Sequence, residues 1–440
     1  MNIFFYEKAY PLRRKGLGMA KIVVIGGGWA GVASAVRARK RGHDVFIFER
    51  TDMLLGLGNV GGIMRNNGRF TAAEENIALG ADELFGITDK YSTHRNIDFP
   101  GHRHASFYDA AKVEPQVADL LKELGVKVSF MTRIVDVRKN EKIEAVVDAD
   151  GNFFEADVFV EATGTTGPMG NCMRYGNGCS MCVLRCPAFG PRVSIAEKAG
   201  NMDLMAAKED GTRGAFSGSC KLEKKSLSRE IQKKLDKEGV IVIPLPKQLI
   251  NRSKLARKVC QQYALDEFAE NIILLDTGEA KLMTSFFNLQ QLRTVPGFEN
   301  ARFLDPYAGG KGNSVRYMAV GLRDKNMRAK GIENLFLAGE KSGFFVGHTE
   351  AITTGSLAGY NASRYAEGGE MLELPEQLAV GDIIKFADEA LNDEDCLARR
   401  FTFAGGEYFE RMKEKELYTC NVRKIRKKVK ELGLVNVYNM

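Results

Sequence analysis

The stretch Lys21–Gly31, KIVVIGGGWAG, constrains the fold more than any other part of the chain. An apolar strand, Lys21 to Ile25, runs into Gly26-x-Gly28-x-x-Gly31, and a helix rich in small residues follows. Each glycine has its own task in such a turn. One permits the sharp bend, one lets the backbone approach a pyrophosphate, and one lets the helix pack closely on the strand. The helix start offers free N–H groups to phosphate oxygens. The next strand, HDVFIFER, closes on Glu49 and Arg50. Glu49 stands where a carboxylate can accept from ribose hydroxyls. Strand, turn, helix, strand and terminal acid in this order specify a dinucleotide-binding α/β fold.

Two later segments select FAD over NAD. Residues 125–164 form a run of short alternating strands with a turn at Asp150-Gly151, ending in Ala162-Thr163-Gly164. Val135, Ala162, Thr163 and Gly164 are placed among the cofactor contacts. Further on, Leu335 to Ala338 reads as a strand that meets Gly339-Glu340, and a helix begins around Gly347 to Glu350. The positive end of that helix suits the pyrimidine edge of an isoalloxazine, where reduction places negative charge. Gly339, Glu340, Gly347, Thr349, Glu350 and Ala351 are therefore candidates for the flavin half, and His348 for contact with the ring. The expected fold is a glutathione-reductase-like FAD-binding Rossmann fold with an inserted α/β domain and a helical C-terminal tail. No second GxGxxG follows a strand, so a dedicated NAD(P)H domain is not expected.

The division expected along the chain is a tail or over-long start at 1–18, a first FAD-binding part at 19–204, an inserted domain at 205–290, a second FAD-binding part at 291–372 and a helical region at 373–440. In the insert, KLEKKSLSREIQKKLDKEGVIVIP and KLARKVCQQYALDEFAENIILLD each read as helix then strand. Lys221, Lys224, Lys225, Lys233 and Lys234 read as a solvated helix face or a patch for an acidic ferredoxin or RNA. The tail groups Arg423, Lys424, Arg426, Lys427, Lys428 and Lys430 on an amphipathic helix. Self-packing or homodimer formation is favoured there, with RNA contact as the other reading. The net charge of +7 permits an acidic partner without demanding one. No apolar run is long enough to span a membrane, and a cytoplasmic, reducing location is expected. His102 and His104 lack a third ligand nearby in sequence and are not read as a metal site.

Four of the eight cysteines fall in NCMRYGNGCSMCVLRCPAFG: Cys172, Cys179, Cys182 and Cys186. The spacing C-x6-C-x2-C-x3-C-P echoes the ferredoxin run with its first cysteine moved outward, and it suits a [4Fe–4S] cluster. Surrounding glycines allow a loop to wrap such a cluster. Zinc is the main rival, although zinc sites usually pair two knuckles across a longer gap. A redox disulfide or unliganded thiols is the third reading. Because the run follows Ala162-Thr163-Gly164 closely, a cluster here would sit beside the flavin as a one-electron relay. Cys220, Cys260, Cys396 and Cys420 are scattered and read as small core residues.

Residues 292–310 and 332–364, with GLGNVGGIMRNNGRF at 56–70, resemble the FAD domain of the glucose-inhibited division protein A superfamily. That superfamily includes flavoproteins that modify uridines of tRNA. The resemblance covers roughly 20–170 and 285–370 and implies bound FAD, with 56–70 as a flavin-contacting loop. The sequence departs from those enzymes in having no cysteine from Asp52 to Ala81, no room for a long C-terminal tRNA-binding region, and an added cysteine run. The main expectation is an FAD-dependent oxidoreductase whose [4Fe–4S] cluster relays single electrons, acting on a small molecule or receiving electrons from a ferredoxin-like protein. The alternative is an FAD-dependent tRNA uridine modification enzyme in which the cysteines hold a structural metal or shape a loop. A third class is an electron-transfer subunit without turnover of its own. No catalytic acid or base is assigned.

Overall fold

The computed structural model describes residues 18–164, 189–207, 220–257, 261–283, 288–304, 318–393 and 395–440, with 211, 215–216 and 315–316. At its centre lie five parallel strands: β1 (Lys21–Ile25), β2 (Asp44–Phe48), β3 (Lys127–Ser129), β4 (Val158–Glu161) and β5 (Leu335–Leu337). Their order is β5-β4-β1-β2-β3. From β1 the chain runs outward to β2 and β3 and then crosses back to β4 on the other side of β1, so a crevice opens beyond the strands' carboxyl ends at β1/β4. Ligands of doubly wound sheets bind at such a switch point. Ile22, Val23 and Val24 are fully buried, which explains their unbroken apolar run.

Helix α1 (Trp29–Lys40) follows β1, α2 is Gly68–Leu79, and α3 (His348–Ala366) follows β5. α1 and α3 pack backbone to backbone. A Cβ on Gly355 would lie 2.8 Å from Ala30 Cα, and one on Gly359 would lie 2.5 Å from Ser34 Cα. Ser34 Oγ crosses the contact and donates to the Gly355 carbonyl at 2.8 Å. Small residues at these positions bring the start of each helix to the same end of the crevice.

Among the described residues, three antiparallel sheets of three or four strands surround this centre, with two smaller two-stranded pairs, Asp203–Met205 with Ala319–Gly321 and Ala215–Phe216 with Val315–Arg316. Ile134–Lys139, Ile143–Asp148 and Phe153–Glu155 form one, with Gly151 at φ +83° in its turn. Ile63–Met64 and the hairpin Ser92–Phe99/His102–Tyr108 form another. The third orders Cys220–Leu222, Ala280–Leu282, Asn271–Asp276 and Val240–Pro244, covered by the helix Arg229–Glu238. Ser228 Oγ accepts from Ile231 N at that helix's start and Gly239 ends it at φ +75°. The helix read at the start of KLARKVCQQYALDEFAENIILLD is not continuous among the described residues. The described residues there are short 3-10 turns and one α-turn, Glu267–Glu270. Tyr263 and Phe268 leave the helical stripe to pack with Phe99 and Phe107 of the hairpin.

The C-terminal region is helical. α4 (Ala379–Ala390), α5 (Gly406–Glu414) and α6 (Val422–Glu431) close over α2. No helix among the described residues is long and apolar enough to cross a membrane. Residues 1–17 lie outside the described residues.

Candidate cofactor site

The first wall of the crevice is the glycine turn. Gly26 has φ +101°, and a Cβ there would stand 2.5 Å from the Ala162 carbonyl oxygen. A Cβ on Gly31 would overlap the Gly26 carbonyl. Gly28, at the N-cap of α1, meets nothing within 4 Å and supplies no side-chain cap. The turn is thus closed where strand and helix meet and open where a phosphate could approach the helix start. Glu49 is buried. Its Oε2 accepts from Gly27 N at 2.7 Å, and its Oε1 accepts from Thr51 N and Oγ1 at 2.8 and 2.9 Å. A carboxylate has about four acceptor positions, so this network leaves room for one more donor. Arg50 donates to the Gly190 carbonyl. Val135 is half-buried in the sheet behind.

The second wall is the carboxyl end of β4. Glu161 accepts from Ile195 N and Ala196 N at 3.0 and 2.6 Å and from Thr163 Oγ1 at 2.7 Å. Arg192 is 5% exposed and donates Nη1 to Thr163 Oγ1 at 2.9 Å. Its Nε and Nη2 are buried and have no hydrogen-bond partner among the described residues. Lys341 is fully buried, donates to Ser194 Oγ at 2.7 Å and pairs with Asp203. Burial pulls its pKa below the ordinary lysine value, against the attraction of Glu161 and Asp203. A buried guanidinium with two unused nitrogens beside Thr163, next to an open glycine cradle, fits an anionic dinucleotide. The described chain leaves the sheet at Gly164 and returns at Phe189. Cys172, Cys179, Cys182 and Cys186 lie outside the described residues. Among those described, no group of three or more histidines, cysteines or acids is placed to hold a metal.

The third wall belongs to β5 and α3. Gly339, at φ +68°, donates its N–H to Thr354 Oγ1 at 2.9 Å, and Glu340 follows in a 3-10 turn. Gly347 caps α3 at φ +143°. Thr349 is fully buried and Ala351 half-buried. The Glu350 carboxylate turns away into the core. It pairs with Arg69 Nε at 3.1 Å and accepts from Thr402 Oγ1 at 2.7 Å and Phe403 N at 2.9 Å. The backbone of the helix start, not this side chain, is what α3 offers a ligand.

His348 joins a cluster that local sequence patterns do not announce. Its Nδ1 lies 3.1 Å from the Tyr108 hydroxyl, and its ring centroid is 5.9 Å from that of Trp29. Burial raises the Tyr108 pKa above its ordinary value. The loop 56–62 lies against this cluster: a Cβ on Gly61 would overlap the His348 ring. Lys281 Nζ donates to the Gly61 carbonyl at 2.8 Å and Lys221 Nζ to Asn59 O at 3.4 Å. Desolvation lowers the pKa of Lys221. Lys221 therefore holds the glycine loop instead of joining a surface patch, and Lys224 is paired with Asp236 and Asp276 at 2.9 Å each. Lys225, Lys233 and Lys234 are exposed. His102 and His104 are not brought together. His102 is buried, with Nδ1 3.0 Å from Asn66 Nδ2, Nε2 2.9 Å from Gln262 O and its ring stacked on Phe99. His104 bends outward at φ +61°.

A family model described as Glucose inhibited division protein A matches residues 21–273 and 266–370. Among curated proteins, the chain is 37% identical over 97 residues to a methylenetetrahydrofolate–tRNA-(uracil-5-)-methyltransferase of Streptococcus sanguinis, which is 22% of this chain and 21% of that relative. It is 38% identical over 94 residues to a tRNA uridine 5-carboxymethylaminomethyl modification enzyme of Desulfotalea psychrophila, covering 21% of this chain and 13% of the relative. These matches thus span about a fifth or less of the relatives' own length. The solved structure of Aquifex aeolicus GidA superposes on 96% of this chain and 74% of its own, with a TM-score of 0.68 at 16% identity, and so shares the fold. With a family model spanning most of its length, the chain belongs to the glucose-inhibited division protein A family.

Proposed function

We propose that this chain is an FAD-dependent oxidoreductase whose substrate is a uridine of tRNA. The observation that carries the cofactor is the crevice itself, with its open Gly28 cradle and the two nitrogens of buried Arg192 that have no hydrogen-bond partner among the described residues. The substrate class is supported by what the relatives' names say they act on.

When bound, FAD supplies electron and hydride transfer at its isoalloxazine. Gly26, Gly28, Gly31 and the first N–H groups of α1 would hold the pyrophosphate, and Arg192 would neutralise it. Glu49 would accept from the adenosine ribose, with Arg50 beside it. Gly339, Glu340 and the start of α3 at Gly347, Thr349 and Ala351 would hold the flavin half, the helix end favouring negative charge there. Ala162, Thr163 and Gly164 line the floor. Burial keeps the proton on the Tyr108 hydroxyl, which can donate to His348 Nδ1 and orient the ring. Lys221 and Lys281 fix the glycine loop over them and limit water.

A second reading is favoured by the spacing of Cys172, Cys179, Cys182 and Cys186, in which a [4Fe–4S] cluster exchanges electrons with the flavin and the substrate is a small molecule. One preparation tests both. Flavin, iron and acid-labile sulfide are measured on anaerobically purified protein, and uridine modification is assayed on unmodified tRNA. Flavin with modified uridine upholds the first reading. About four irons and four sulfides per flavin without action on tRNA would replace it with the second.

A further inference from the structure

The last helix carries chemistry that the cofactor site does not use. α6 holds six lysines and arginines against one glutamate. Its sequence is compatible with a stripe seeking a partner copy or with a face presented to phosphates. The structure separates the two. Ile425 and Val429 are buried where α6 packs on α2, so the apolar stripe is already covered by this chain. Arg423, Lys424, Arg426, Lys427 and Lys430 are exposed. Arg426 is 3.9 Å from Glu74 and Lys427 3.6 Å from Glu431. Arg423, Lys424 and Lys430 have no ion-pair partner among the described residues.

A cavity of about 630 Å³ opens between the hairpin and the segment leading to α6. Asp98, Phe99 and Arg103 line one side, and Phe409, Lys413 and Tyr418 the other; the Asp98 carboxylate accepts from His104 N at 3.0 Å. Phe409 and Tyr418 meet edge to face at 5.1 Å, and Lys413 Nζ lies 4.9 Å over the Phe409 ring while pairing with Glu410 at 2.6 Å. Arg103 is exposed and has no carboxylate partner among the described residues. Its backbone is fixed, because Asn67 Oδ1 accepts from Arg103 N at 2.9 Å while the Asn67 amide donates to Gly101 O and Ala404 O at 2.9 and 2.8 Å. Thr419 exchanges hydrogen bonds with Thr71 of α2 at 2.7 and 3.0 Å. That clamp holds the aromatic wall at Tyr418 and the start of α6 on one element.

We infer that this cavity and the exposed face of α6 form one docking surface for single-stranded RNA. An unpaired base stacks on Tyr418 beside Phe409, and Arg103 and the exposed cations of α6 take the neighbouring phosphates. Aromatic faces accept any base and cations follow the backbone. An acidic peptide would use the cations but leave the aromatic wall idle. The inference rests on the RNA reading proposed above and adds to it a surface separate from the cofactor crevice.

The test uses the full-length flavin-loaded protein and a fluorescent tRNA transcript, with binding followed by anisotropy across a salt series. Arg423→Glu, Lys424→Glu and Lys430→Glu together are expected to weaken binding at least about tenfold and to lower the salt slope by about two, since each phosphate contact contributes about 0.7–0.9. Tyr418→Ala is expected to weaken binding about five- to tenfold with the slope unchanged, and Tyr418→Phe to bind as wild type. An unaltered flavin spectrum reports intact folding, and the three exposed charge reversals touch no core. If wild type binds tRNA and these variants bind it equally well, the surface is wrong and the RNA reading stands. If wild type binds no tRNA even at low salt, both fall. If the charge reversals weaken tRNA binding but Tyr418→Ala binds as tightly as wild type, the base-stacking role is overturned.

Discussion

Replacing Glu350 by alanine should unseat the flavin end of the fold. Its carboxylate is fully buried and is shared by Arg69 Nε, Thr402 Oγ1 and Phe403 N. Arg69, itself 4% exposed, also donates to Val346 O at 2.9 Å, immediately before the α3 cap. Alanine leaves a buried guanidinium without the carboxylate it pairs with, which costs about 3–5 kcal/mol. The orphaned Phe403 N–H adds about 1 kcal/mol more. Against a typical stability of about 5–15 kcal/mol, a loss of about 4–6 kcal/mol is severe. Glu350→Gln keeps the volume and one acceptor and should cost about half as much. The double change Arg69→Met with Glu350→Leu removes both charges together and should recover most of the loss, because a buried pair is worth little more than apolar packing of equal size. Urea unfolding followed by circular dichroism gives the stabilities, and flavin retained on gel filtration gives the effect on the cofactor. A Glu350→Ala protein destabilised by under about 1 kcal/mol, or a double variant no more stable than the sum of its singles, would refute the coupling assigned to this pair.

Three further changes probe other parts of the fold. Gly31→Ala forces a Cβ into the Gly26 carbonyl; overpacking of about 1–3 kcal/mol should weaken FAD binding about 5- to 150-fold by fluorescence titration, and full flavin content after purification would contradict it. Arg192→Met removes a buried cation 3.8 Å from the buried Glu161 carboxylate, so the apoprotein should melt below wild type and FAD affinity should fall about tenfold or more; unchanged affinity would remove Arg192 from the site. Burial pushes the Glu75 carboxyl from its ordinary 4.5 up to about 7, against smaller opposing effects of its bonds to Val380 N and Ala379 N and of Lys428. A carboxyl raised on folding stabilises fully below its ordinary value and loses that contribution as pH rises through about 7, on the order of 3 kcal/mol in all. Glu75→Gln should flatten the decline in stability between pH 5 and 8, read from melts in a pH series; an equally steep decline would exclude Glu75 as its source.

What could be read from the sequence was local and backbone-driven. Gly26 and Gly31 announce their turn because conformation and clearance leave few other residues possible: Gly26 has φ +101° and a Cβ on Gly31 would overlap the Gly26 carbonyl; Gly28 leaves open the space at the helix start. Gly339 and Gly347 announce the second half of the site in the same way. The side chains that complete the crevice carry no such signature. Tyr108 and His348 meet across 240 residues, and nothing in either neighbourhood encodes the other. Arg69 lies inside the glycine-rich stretch 56–70, yet its pairing with Glu350 has no local signature, because the position of Glu350 at the start of α3 says where the backbone is, not where the carboxylate points. Lys221 reads as one of several surface lysines until the β-sheet of the insert turns it onto the 56–62 loop. Tyr263 and Phe268 fit a helical stripe equally well but find their partners on the hairpin, and tertiary packing overrides the local period. The same separation governs α6. Its amphipathic pattern states that one face is apolar and the other cationic. Only the packing of Ile425 and Val429 on α2 decides that the apolar face is occupied, which leaves the cationic face as the one available to a partner.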